Sequence, residues 1–108
     1  MMILFLTIAS ALYALDEETY ARLSAETVIA AHQYKGNVPG MNQWISRTQQ
    51  QYPVFMSGEW QTFERNLAAN SANKSSVYTR ILNIVRSKGY NARISSLGSG
   101  MTSIEIMS

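Results

Sequence analysis

A chain of 108 residues, 46% hydrophobic and 15% charged, is one domain's worth of sequence: too apolar for disorder and too short for a core plus a separate catalytic domain. It has no cysteine, which excludes disulfides, a thiolate nucleophile and a cysteine metal site, and its single histidine, His32, excludes a histidine-based zinc centre within one chain. The net charge of +2 is small but uneven, because residues 1–30 hold Asp16, Glu17, Glu18 and Glu26 against Arg22 alone, whereas residues 70–108 hold Lys74, Arg80, Arg86, Lys88 and Arg93 against Glu105.

Met1 to Leu15 is nearly all apolar, interrupted only by Thr7 and Ser10, and ends abruptly at Asp16. A signal peptide would carry a positive n-region that this segment lacks, and a bilayer-spanning helix needs about 20 apolar residues. The continuous run from Ile3 to Ile8 instead suits a strand covered on both faces, or a buried helix, and period alone does not separate the two.

From Asp16 the chain reads as helix: Asp16 is an N-cap, Glu17 and Glu18 suit the positive end of the helix dipole, and Tyr20, Leu23, Thr27, Ala30, Ala31 and Tyr34 form a stripe up to Gly36. Gly36 to Gly40 is expected to be a turn. Met41, Trp44, Ile45, Thr48 and Tyr52 then recur at helical spacing until Pro53. Ser57 caps a third helix whose inner face is Trp60, Phe63 and Leu67, and the small polar stretch Ala68 to Ser76 reads as a connection.

A fourth helix is expected to start at Ser75, with Val77, Tyr78, Ile81, Leu82, Ile84 and Val85 inward, and to stop at Gly89. The period then changes from 3.6 to 2: Tyr90, Ala92 and Ile94, and later Thr102, Ile104 and Ile106, mark a hairpin with one buried face and a loop near Ser96 to Gly100. The expected fold is α+β, a single domain over residues 1–108, with three to four helices packed on a small antiparallel C-terminal hairpin and the N-terminal apolar segment buried as a third strand or helix. Leu4, Leu6, Leu23, Trp44, Trp60, Phe63, Ile81, Val85, Ile94 and Ile104 are its expected core.

Catalytic signals are weak. Nucleophilic catalysis needs an activated hydroxyl or thiol beside an oriented base, yet His32 lies on an alanine-rich helix end and no serine sits in a Gly-x-Ser-x-Gly elbow. Asp16, Glu17 and Glu18 are explained by a helix start. Gly98, Ser99 and Gly100 join two strands, whereas phosphate loops lead into a helix. The chain is therefore read as a non-enzyme with no catalytic, cofactor or metal residues and no cofactor.

Two sets of residues could make contacts. Arg80, Arg86, Lys88 and Arg93, with Tyr78 and Tyr90 nearby, offer positive charge among aromatics for nucleic acid, although Arg80 and Arg86 diverge by about 120° around the helix. Tyr52, Phe55 and Met56 are the candidate partner surface, since aromatics and methionine are enriched at interfaces.

The passage Ile81 to Ile106, a helix ending Arg86, Ser87, Lys88, Gly89, Tyr90 and followed by two alternating strands, resembles the C-terminal end of many short uncharacterised bacteriophage proteins. The resemblance covers about a quarter of the chain and implies a phage accessory or virion component, found in the virion or the host cytoplasm. The leading expectation is a structural or interaction protein acting through oligomerisation or docking to other subunits. A small nucleic-acid-binding protein using the basic C-terminal third is the alternative, and membrane association or export through residues 1–15 the third reading.

Overall fold

The computed structural model describes residues 15–97 and 101–107. Among the described residues, four helices, α1 (Glu17–Gln33), α2 (Val38–Gln51), α3 (Gly58–Ala68) and α4 (Ser71–Ser87), precede two strands, β1 (Ala92–Leu97) and β2 (Met101–Ile106). The arrangement is α+β, with the small antiparallel sheet at the C-terminal end.

Each of these four helices starts on a side chain that accepts an otherwise orphaned amide. The Asp16 carboxylate takes Thr19 N–H at 2.7 Å, Asn37 takes Gly40 N–H at 3.0 Å, Ser57 Oγ takes Trp60 N–H at 3.3 Å and Asn70 takes Asn73 N–H at 3.2 Å. The Asp16 bond favours the ionised carboxyl and holds its pKa below 3.8. Asp16 and Ser57 are where the sequence put them. Two starts differ: Val38, Pro39 and Gly40 form the first turn of α2 instead of a free turn, because Asn37 caps it and proline is tolerated there. Likewise α4 begins at Ser71, not after Ser75, so the connection is only Ala69 and Asn70. Its first turn, Ser-Ala-Asn-Lys, has no helix-breaking residue, and Asn70 caps it as well as Ser75 would.

The core is centred on α1 and α4. Ala21, Leu23 and Ala25 from α1 and Val85 from α4 have no exposed surface, and Ala92 seals the start of β1 against them. Phe55, Trp60, Leu67, Val77, Ile81 and Leu82 complete the cluster, with Leu15, Trp44, Phe63 and Ile104 half-buried around it. Gly89 ends α4 at φ +95°, the left-handed conformation that a side chain rarely adopts.

The hairpin pairs Ala92 with Ile106, Ile94 with Ile104 and Leu97 with Met101, so the connection spans only residues 98–100, which lie outside the described residues. Thr102, Ile104 and Ile106 are half-buried while Ser103 and Glu105 are exposed, as the alternation requires. Ile94 is the exception in the expected core. It is 37% exposed where β1 passes the first turns of α4, with Ser71, Lys74, Ser75, Tyr78 and Thr102 around it. The expected positions of Leu4 and Leu6, and the strand-or-helix reading of residues 1–14, fall outside the described residues.

Candidate interaction surfaces

Two surfaces emerge once side chains are placed. One is a groove of about 560 Å³ with α1 and α4 as its floor and α3 and β2 as its walls. Tyr20, Val28 and Ile81 lie along the floor, Trp60 and Glu64 line one wall and Thr102 and Ile104 the other. An aromatic chain runs beneath it: Tyr20 meets Trp60 at 4.6 Å and Phe63 at 4.8 Å, and Phe55 stands edge-on to Trp60 at 5.2 Å and to Trp44 at 5.7 Å.

Among the groove's polar groups is the Tyr20 hydroxyl, which donates to Glu64 Oε2 at 2.9 Å. Burial, then this hydrogen bond and the carboxylate charge, push the phenol pKa well above 10.0. Burial and the same carboxylate raise Tyr78. Both phenols therefore hold their protons at neutral pH. Sequence reasoning did not single out this trio, since Tyr20 and Glu64 are 44 residues apart and no local spacing marks them.

The second surface is α2. Its apolar residues recur at helical spacing, yet none is buried: Met41, Trp44, Ile45 and Thr48 are half-covered and Val38 is 68% exposed. Trp44 and Ile45 lean on the core, and Val38 and Met41 continue the same stripe at the N-terminal end of α2, Val38 exposed and Met41 half-covered. Around them the helix carries Asn42, Gln43, Gln49, Gln50 and Gln51, with Arg47 as its one charged side chain.

The sequence-derived contact residues are scattered by the fold. Tyr52 is half-buried with the Arg22 guanidinium 5.4 Å from its ring centroid, and Phe55 is sealed in the core at 2% exposure. Only Met56 of that trio is exposed, and its φ of +58° turns it outward while Phe55 turns in. Among the basic residues, Arg80 pairs with Glu18 at 2.8 Å, Arg93 pairs with Glu105 at 3.1 Å and Arg86 donates from Nε to the Ala92 carbonyl at 3.0 Å. Lys88 lies on the α1–α2 side near Glu26 and Tyr52, so the four do not gather into one stripe. His32 stands edge-on to Tyr90, ring centroids 5.9 Å apart.

Among the described residues no group of His, Asp and Glu could hold a metal ion, and no helix is long and apolar enough to cross a membrane. Compared with known proteins, the chain matches no family model, no curated protein and no solved structure at a significant level.

Proposed function

We propose that this is a non-enzymatic interaction protein that works by self-association through the N-terminal end of the apolar stripe of α2. One observation carries the reading: a 14-residue helix with an apolar stripe contributes no buried residue to its own domain. An amphipathic helix gains its stability from burying that stripe, and here the burial is unfinished. The surrounding amides and single arginine make a second copy a fitting cover. Two copies of α2 meeting across a two-fold axis bring Val38 and Met41 against their counterparts with little like-charge repulsion. The likeness of the C-terminal quarter to short bacteriophage proteins supports placing such an assembly in a virion or its accessory machinery.

Sedimentation velocity across protein concentration tests this. The weight-average sedimentation coefficient should rise with concentration, and Val38→Lys with Met41→Lys should hold the chain at monomer while its circular dichroism, and its melting transition at concentrations where both chains are monomeric, stay unchanged. A monomer at every concentration for the unmodified chain overturns the reading.

A further inference from the structure

The groove floored by α1 and α4 is polar at one end and apolar at the other. Tyr20 and Val28 both line it from α1, and eight residues at the helical rise set them about 12 Å apart. At the Tyr20 end stand Glu64, whose Oε2 accepts the phenol, and Tyr78, which the same carboxylate charge reaches. At the Val28 end the lining is Thr27, Val28 and Ile104. The Thr27 hydroxyl donates to the Leu23 carbonyl at 2.7 Å, so its donor is spent inside α1 and the Val28 end offers an entering molecule mainly apolar contact.

Charge then selects the occupant. Among the described residues that line the groove, Glu64 is the one charged side chain, and it takes part in neither of the ion pairs found among the described residues. Tyr20 engages only Oε2, which fixes the carboxylate in place and leaves Oε1 its acceptor capacity. The volume of about 560 Å³ falls within the range of small-molecule sites, roughly 300–1,000 Å³.

We propose that the groove binds a small amphipathic organic cation, with its ammonium group at Glu64 and its apolar body lying over Ile81 toward Val28 and Ile104. An anion of the same shape meets the carboxylate with like charge, and a wholly apolar molecule strips water from that carboxylate without replacing it. An ammonium supplies the missing charge-assisted hydrogen bond. The site is separate from the self-association surface, since no described residue of α2 lines it.

Phenylbutylammonium is the probe, with phenylbutanol as its neutral analogue and phenylpentanoate as its anionic one. Each is titrated at low salt into the full-length, isotopically labelled protein while amide and indole shifts are followed. The cation should give saturating shifts at Tyr20, Val28, Trp60, Glu64 and Ile104 and bind about ten-fold more tightly than the alcohol, with the anion weakest. Added salt should narrow the gap between cation and alcohol. Glu64→Gln keeps an acceptor for the Tyr20 hydroxyl and removes the charge. It should bring the cation down to the affinity of the alcohol, whose own unchanged binding reports an intact groove; if the variant does not fold, the salt dependence in the unmodified chain decides alone. Equal affinities for cation and alcohol, a tighter anion, saturating shifts confined to other parts of the chain, or no saturation at millimolar cation overturns the proposal. Val38→Lys with Met41→Lys should leave every one of these readouts unaltered, so failure here is distinct from failure of self-association.

Discussion

The hydroxyl of Tyr20 donates to the Glu64 carboxylate at 2.9 Å, tying the first turns of α1 to α3 across 44 residues of chain. The ring of Tyr20 is only 4% exposed and packs on Trp60 and Phe63, so the phenol is held at the point where helix packing, the aromatic cluster and the groove meet. Its bond must be made: a buried hydroxyl without a partner costs about 1–3 kcal/mol.

Stability should consequently fall in alkali. Burial and Glu64 raise the folded-state pKa of Tyr20 above the unfolded value of 10.0, so the folded state holds its proton longer than the unfolded state does. The associated stability is complete below pH ~10 and is lost as pH rises from there through the folded value. Urea midpoints should be flat for this group from pH 7 to about 9 and decline above 10. Tyr20→Phe should cost about 1 kcal/mol at pH 7, below the range for a buried charged acceptor because Glu64 is exposed to water, and should soften the alkaline decline. An identical decline in the variant would show that other groups carry it.

Leu23 of α1 has no exposed surface, and its truncation leaves a cavity in the core. Leu23→Ala should lower unfolding free energy by about 2–5 kcal/mol, a large part of the 5–15 kcal/mol of a typical domain at roughly that scale. Val38→Ala, at the exposed N-terminal end of the α2 stripe, should stay within about 0.5 kcal/mol at concentrations where the chain is monomeric. Denaturant melts with an unchanged m-value separate the two.

Glycine substitutions should split by backbone angle alone. A Cβ at Gly89 or at Gly58 meets nothing within 4 Å, so neither site is crowded. Gly89 has φ +95°, and alanine there should cost about 1–2 kcal/mol. Gly58 opens α3 without a left-handed φ, and Gly58→Ala should stabilise by about 0.4–1 kcal/mol through the unfolded state. Equal thermal shifts of the same sign would refute this account.

Local chemistry made much of this fold readable in the sequence. The caps Asp16 and Ser57 and the stop at Gly89 act within one turn, and the switch from period 3.6 to period 2 after Gly89 marks the hairpin. Surfaces were harder to read. Alternation assigns Ile94 to the inner face of β1 but does not say that β1 there passes the exposed first turn of α4, with Ser71 and Ser75 among the neighbours of Ile94. Tyr52, Phe55 and Met56 look alike as an aromatic and methionine cluster, and it is the left-handed turn at Met56 that sends Phe55 inward and leaves one of the three exposed. The basic residues of α4 and β1 read as unspent charge because their partners, Glu18 and the Ala92 carbonyl among them, are set by tertiary approach or by the turn after the helix.

The start of α4 gives the sharpest case, because Asn70 and Ser75 are both good caps and only one can serve. Asn70 accepts the Asn73 amide at 3.2 Å, and its own carbonyl takes Lys74 N–H at 2.9 Å, which places the first turn at Ser71. Asn70→Ala should then lower stability by about 1 kcal/mol through the lost cap. Ser75 instead lies exposed inside the helix, where serine is a poorer helix former than alanine. Ser75→Ala should leave stability unchanged or raise it by up to about 0.5 kcal/mol. Thermal melts of the two single variants decide the matter: a loss at Ser75 with none at Asn70 would move the start of α4 to Ser75 and return residues 71–74 to a connecting loop.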